Sequence, residues 1–271
     1  MTSLGAPLPI TLPDEEPPSK LLGGMKPFHP DLPQIPFFVG IIGPRHSGKS
    51  VLLFNLLSNN TGYYGDSFKK SNIVFYSKTA KEDPTMKQLK LENVYGPPTS
   101  PSWLVEEIRS KQLAHKDADN MAPTLICFDD ATQLKNAWPV IEELSYTGRH
   151  VHIQLIFVAH KMSSIPRGVR TQTQQWVLFR PHEQSERDWV LEMFSSKMTR
   201  DLWRQVMLRA WRPDESMKKP FIYIDFEEED SNRTYRRGFH QPLFTDDELA
   251  IITGAVVAEN GAYFDPLEEK E

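Results

Sequence analysis

Phe37-Phe38-Val39-Gly40-Ile41-Ile42, then Gly43-Pro44-Arg45-His46-Ser47-Gly48-Lys49-Ser50, then the apolar run from Val51 to Leu57: the reading of this stretch decides the rest. A short apolar segment ending at a glycine predicts a strand buried inside a parallel sheet. The next eight residues fit G-x-x-x-x-G-K-[ST] at every fixed position. Gly43 and Gly48 let the backbone wrap closely around an anion and turn its N–H groups inward. Lys49 sets a cation against β and γ phosphates, and the Ser50 hydroxyl is placed to ligate Mg²⁺. A helix beginning near Lys49 adds the positive end of its dipole. The predicted lining for ATP is therefore Gly43, Pro44, Arg45, His46, Ser47, Gly48, Lys49, Ser50 and Val51.

Further along, Leu125-Ile126-Cys127-Phe128-Asp129-Asp130 reads as an apolar strand ending in two carboxylates. Beside the phosphate loop, such a strand would bring Asp129 to the Mg²⁺ shell, directly or through water. Asp130 either orients and deprotonates the attacking water or caps the helix that follows. Cys127 is the one cysteine, which excludes an internal disulfide, and its apolar neighbours make it a small buried hydrophobe.

The elements around these motifs alternate. Strand candidates at 73–76, 125–128, 153–158 and 175–179 are separated by helical patterns at 102–114 and 134–146. That order predicts an α/β fold: a three-layer sandwich of RecA/ASCE type around a mostly parallel central sheet. The character changes after about residue 183, where helices at 183–195 and 199–211 precede a β-hairpin formed by 221–226 and 234–239. Residues 1–35 contain eight prolines and no periodicity, and read as an extended N-terminal arm. The domain proper is expected over 36–240, followed by an acidic tail at 241–271. Eighty residues separate Lys49 from Asp129, with the strand candidate 73–76 between them in sequence. A strand inserted between the two motif strands marks the ASCE group, and no Asn-Lys-x-Asp guanine-reading motif occurs, so ATP is favoured over GTP.

Composition narrows the remaining choices. At 39% hydrophobic and 25% charged the chain is ordinary for a globular protein, and no apolar run approaches the length of a membrane-spanning helix. The first twenty residues lack the basic start and apolar core of a secretory signal. The net charge of −5 conceals an asymmetry: residues 145–219 hold thirteen Lys/Arg against seven Asp/Glu, and 241–271 hold one lysine against eight acids. The basic middle is either a polyanion-binding surface or a solvated charged face.

In order, GPRHSGKS at 43–50, LICFDD at 125–130 and TGRHVHIQLIFVAHKMSSIPRGVRTQTQQWVLFR at 147–180 resemble the poxvirus-type viral DNA-packaging ATPases of the HerA/FtsK superfamily. The resemblance covers roughly residues 36–195. It implies an ATP-hydrolysing translocase of double-stranded DNA that works as a homo-oligomeric ring of about five or six subunits. It further implies a capsid protein at the packaging vertex as partner, and action at virus assembly sites in host cytoplasm or nucleus. In that family a polar residue, usually glutamine, ends the strand after the Walker B strand and senses the γ-phosphate. His160 stands at the matching position, a departure, and the alternative is a histidine that merely ends a strand. An arginine reaches the neighbouring subunit's ATP in such rings. Arg149 matches that position best and Arg170 is the second candidate. Lys161, Arg167 and Arg170, in a loop with Ser163, Ser164 and Gly168, suit contact with DNA phosphates. Arg200, Arg204, Arg209 and Arg212, interleaved with Trp203 and Trp211, form a second basic stretch, whose aromatics are more often core than base platforms. Two further readings stay open: a HerA- or helicase-like ATPase of replication or DNA transfer, and a nucleotide-gated assembly protein without turnover.

Overall fold

A computed structural model describes residues 29–58, 62–79, 82–114, 123–134, 136–194, 199–228, 231–245 and 248. Residues 1–28 of the expected arm and nearly all of the acidic tail lie outside that set. The strands are β1 (Phe38–Ile42), β2 (Ile73–Tyr76), β3 (Asn93–Tyr95), β4 (Thr124–Phe128), β5 (Ile153–Ala159), β6 (Gln175–Phe179), β7 (Phe221–Asp225), β8 (Tyr235–Arg237) and β9 (Gln241–Pro242). The α-helices are α1 (Lys49–Leu57), α2 (Tyr64–Ser67), α3 (Pro84–Lys87), α4 (Pro101–Ala114), α5 (Ala137–Thr147), α6 (Arg167–Gln172), α7 (Gln184–Phe194), α8 (Arg200–Ala210) and α9 (Ser231–Thr234).

All nine strands join one sheet in the order β3-β2-β4-β5-β1-β6-β7-β8-β9. The first six run parallel, and β7, β8 and β9 continue antiparallel. Each inner strand is buried on both faces, because helices cover both. Alternate residues of β1 face opposite cores. Phe38 and Ile42 pack with α5 to α8, whereas Phe37, Val39 and Ile41 pack with α1 and α2. This is the expected three-layer α/β sandwich.

Two expectations need correction. The strand lying between β1 and β4 is β5, not 73–76, which is β2 and pairs with β4 on the far side. Sequence order gave the wrong candidate because parallel strands are joined by crossovers that need not place neighbours side by side. The C-terminal hairpin is also less of an appendage than expected: β7 pairs along its whole length with β6, so the hairpin extends the central sheet. β3, three half-buried residues at the sheet edge, was not expected at all.

Gly40 lies at the centre of β1, where a Cβ would sit 2.7 Å from the Phe157 ring and 2.8 Å from Trp176. The two rings meet edge to face above it, with centroids 5.9 Å apart. The segment before β1 also docks. Leu32 is 2% exposed, the Tyr64 hydroxyl donates to Pro33 O at 3.0 Å, and Asp31 pairs with Arg233 and Arg236. Arg236 is 1% exposed, lies over the Tyr223 ring and faces Asp31, Asp225 and Glu228. Trp203 and Trp211 are core residues, and Cys127 is fully buried, its thiol pushed well up by desolvation.

Candidate nucleotide site

The loop from Gly43 to Gly48 leaves β1 at the end where β5 and β4 also finish. Gly48 caps α1 at φ 111°, a conformation that side chains strain to adopt, and His46 takes φ 61° within the loop. Gly43 N donates to Ala159 O at 3.2 Å, which fixes the loop's origin against β5. Lys49 is 7% exposed. Its ammonium donates to Pro44 O at 2.7 Å and lies 3.3 Å from His160 Nδ1. Ser50 and Val51 are exposed on the first turn of α1.

The carboxylate pair is brought together by a backbone reversal. Asp130 has φ 51° and ψ 50°, so the chain turns as β4 ends, and successive side chains need not point to opposite faces. Asp129 Oδ2 accepts from the Ser77 hydroxyl at 3.1 Å, and its N–H donates to Tyr76 O at 2.9 Å. Asp130 Oδ1 stands 3.4 Å from His160 Nε2, inside ion-pair range but without hydrogen-bond alignment, and this buried oxygen has no donor among the described residues. Asp130 makes no side-chain cap to the turn that follows, which removes the capping alternative. His160 thus presents Nδ1 to the Lys49 ammonium and Nε2 to Asp130. Asp129, Asp130, His160 and Lys49 thus form one cluster at the mouth of the phosphate loop.

Burial dominates the electrostatics of the cluster. Burial lowers the Lys49 ammonium to about 8, with Arg45 adding to the drop and Asp129 and Asp130 opposing it. Burial raises the Asp129 carboxyl, helped by Asp130 and Asp83 and opposed by Ser77 and Lys49. A cation near Asp129 and an anion near Lys49 would reverse both shifts. Among the described residues no group of three or more His, Cys, Asp or Glu could hold a metal alone. A cavity of about 280 Å³ adjoins the loop, bounded by Pro44, Arg45, His160, Phe179 and Glu186.

Other expected residues lie elsewhere. Arg149 is exposed beyond α5, before β5 begins, and its Nε donates to His150 Nε2 at 3.4 Å. The seven residues of β5 put it about 20 Å from the cluster. Lys161 pairs with Glu183 at 2.8 Å, and Arg170 lies over the Trp189 ring at 4.9 Å. Arg167 is exposed at the start of α6. Two residues went unread in the sequence. Ser77 ends β2 beside Asp129, and a hydroxyl closing the strand candidate 73–76 was the available signal. Lys219, which precedes β7, donates to His46 O in the loop, and no local pattern announced that contact.

No protein-family model and no curated protein matches the chain. Solved structures do. EssC (ATPases 2 and 3) from Geobacillus thermodenitrificans superposes with a TM-score of 0.50 at 11% identity, covering 80% of this chain and 42% of that one. The genome packaging NTPase B204 from Sulfolobus turreted icosahedral virus 2, in complex with AMP, gives 0.49 at 16% identity over 77% of this chain and 98% of that one. The Type VII secretion ATPase EccC from Thermomonospora curvata gives 0.46 at 15% identity over 71% and 24%. Strand order, loop geometry and the EssC superposition define the fold of a P-loop ATPase of the ASCE type. At these identities the likeness is one of fold. No helix among the described residues is long and apolar enough to cross a membrane.

Proposed function

We propose that the chain hydrolyses Mg-ATP and uses the energy to drive double-stranded DNA into a viral capsid as a ring of identical subunits. The observation that bears most weight is the buried, donor-free Oδ1 of Asp130 next to a histidine tied to the phosphate-loop lysine. Ser50 and Asp129 would hold Mg²⁺, which supplies charge neutralisation across the β and γ phosphates. Lys49 exchanges Pro44 O and His160 Nδ1 for phosphate oxygens when ATP enters. Asp130 takes a proton from a water as its oxygen attacks the γ-phosphorus and the bond to the ADP oxygen breaks. His160, released from Lys49, donates through Nε2 to that water or to a γ-oxygen. Arg149, exposed and remote from its own cluster, acts on the next subunit's ATP.

The DNA assignment rests on the resemblance of residues 147–180, with Lys161, Arg167 and Arg170 as phosphate contacts. Lys161 must leave Glu183, and Arg170 its place over Trp189, to make them. A capsid protein at the packaging vertex is the expected docking partner, at assembly sites in the infected cell. The test is ATP turnover with and without duplex DNA at matched salt, for wild type, Asp130→Asn, Arg149→Ala and rings mixed from the two variants. DNA-stimulated turnover, lost in each variant and regained on mixing, is the expected result. Mixing helps because a ring containing both holds sites with an intact Asp130 and a neighbour's intact Arg149. No recovery on mixing overturns the role in trans. No turnover in wild-type protein with ATP bound overturns the motor.

A further inference from the structure

The phosphate loop is touched by a side chain that belongs to neither motif. Lys219 donates to the backbone carbonyl of His46, 173 positions away, and its stem runs over Gly48. A Cβ on Gly48 would lie 3.3 Å from the Lys219 Cδ and 3.5 Å from its Cβ. The contact falls on the part of the loop with the highest conformational cost. His46 is left-handed at φ 61° without being a glycine, and the loop's own backbone bond across this stretch, Ser47 N to Pro44 O, is long at 3.3 Å.

The segment that delivers the lysine is itself held. Arg237 of β8, 7% exposed, donates to Arg212 O at 2.9 Å and pairs with Asp214 at 2.7 Å. Asp214 accepts from Met217 N at 2.8 Å and from the Ser216 hydroxyl at 2.7 Å, closing a turn just before Lys219. Met217 packs against Gly238, the glycine at φ 63° that turns the chain after β8. A chain of contacts therefore runs from the C-terminal hairpin through residues 212–217 to the carbonyl at 46.

We propose that Lys219 is a positioning residue for nucleotide binding, bracing the phosphate loop from the C-terminal hairpin so that its N–H groups are already turned inward when the phosphates arrive. The proposal rests on the reading that this loop binds ATP. Its contact is with the loop backbone, on the segment shared by every phosphorylated nucleotide. Loss of the brace thus lowers the affinity for ADP and ATP by the same factor and leaves the chemical step alone.

Lys219→Met keeps the apolar stem over Gly48 and removes the donor, and Lys219→Arg restores a donor. Calorimetric titration with Mg-ADP and Mg-ATP should show Lys219→Met weakened about tenfold toward both, the size of a lost charge-assisted hydrogen bond. The same variant should have a raised KM at unchanged kcat and an unfolding midpoint without nucleotide equal to wild type, and Lys219→Arg should recover most of the affinity. Asp214→Ala, which frees the delivering turn, should weaken both nucleotides in the same ratio, and adding it to Lys219→Met should cost little more. Wild-type affinity in Lys219→Met overturns the brace. So does a loss confined to ATP, or a fall in kcat at saturation. Absence of nucleotide binding in the wild type overturns the underlying reading instead.

Discussion

Replacing Asp130 in two ways separates its chemistry from its backbone. The residue is left-handed at φ 51° and ψ 50°, a conformation that asparagine accepts and alanine resists. Asp130→Asn should therefore fold as wild type does, whereas Asp130→Ala should lose about 1–2 kcal/mol of stability. Both lose the carboxylate whose buried Oδ1 stands beside His160, asparagine by exchanging it for a non-basic amide and alanine by removing it. Loss of a general base lowers the hydrolytic rate by 10² to 10⁴, so single-turnover hydrolysis should fall about a thousandfold in each variant, roughly 4 kcal/mol of barrier. Nucleotide binding should survive in Asp130→Asn, because Lys49 keeps Pro44 O as its acceptor and Asp129 keeps its Ser77 contact. The assay is quenched-flow hydrolysis of radiolabelled ATP beside urea denaturation. Asp130→Asn turning over within a few-fold of wild type would refute the base assignment. Equal stability in the two variants would refute the conformational argument.

Three other outcomes follow from the same geometry. Because burial depresses Lys49 to about 8 and ATP phosphates would raise it again, binding should take up about half a proton at pH 8 and almost none at pH 6.5; calorimetry in two buffers of different ionisation enthalpy reads this directly, and no uptake at pH 8 counts against it. Ser77→Ala removes the one hydroxyl on Asp129 and should lower turnover at limiting Mg²⁺ by about 2- to 10-fold, with most of the loss recovered at high Mg²⁺ in a titration. Gly40→Ala pushes a methyl into the Phe157 and Trp176 rings and should cost about 1–3 kcal/mol in chemical denaturation; adding Phe157→Leu should return part of that cost, and strict additivity would rule out the clash.

Much of the site could be read from local chemistry. Residues 43–50 carry their conformation in their glycines, and an apolar run closing on Asp129 and Asp130 shows its position at a strand end. His160 is legible as the residue that closes the β5 segment, and it stands between Lys49 and Asp130. What escaped depends on pairing between distant segments. Which strand separates β1 from β4 is decided by crossovers and not by order, and β3 is too short and too exposed to leave a pattern of its own. Ser77 and Lys219 matter through partners 52 and 173 residues away, contacts that no periodicity encodes. Asp130 shows the intermediate case. A helix cap and a general base look alike in sequence, and the left-handed backbone with no side-chain cap bond speaks against the cap.

Arg236 sets a limit on where the chain can be trimmed. Its guanidinium is enclosed by Asp225 and Glu228 from the hairpin side and by Asp31 from the segment ahead of β1. A protein starting at Pro36 would retain every motif of the nucleotide site yet leave that cation one carboxylate short and without Asp31 O as an acceptor, which should destabilise the fold. An expression boundary drawn at the first predicted strand would thus give a protein whose poor yield could be mistaken for a defect in nucleotide binding. One drawn before His29 keeps the charge enclosed.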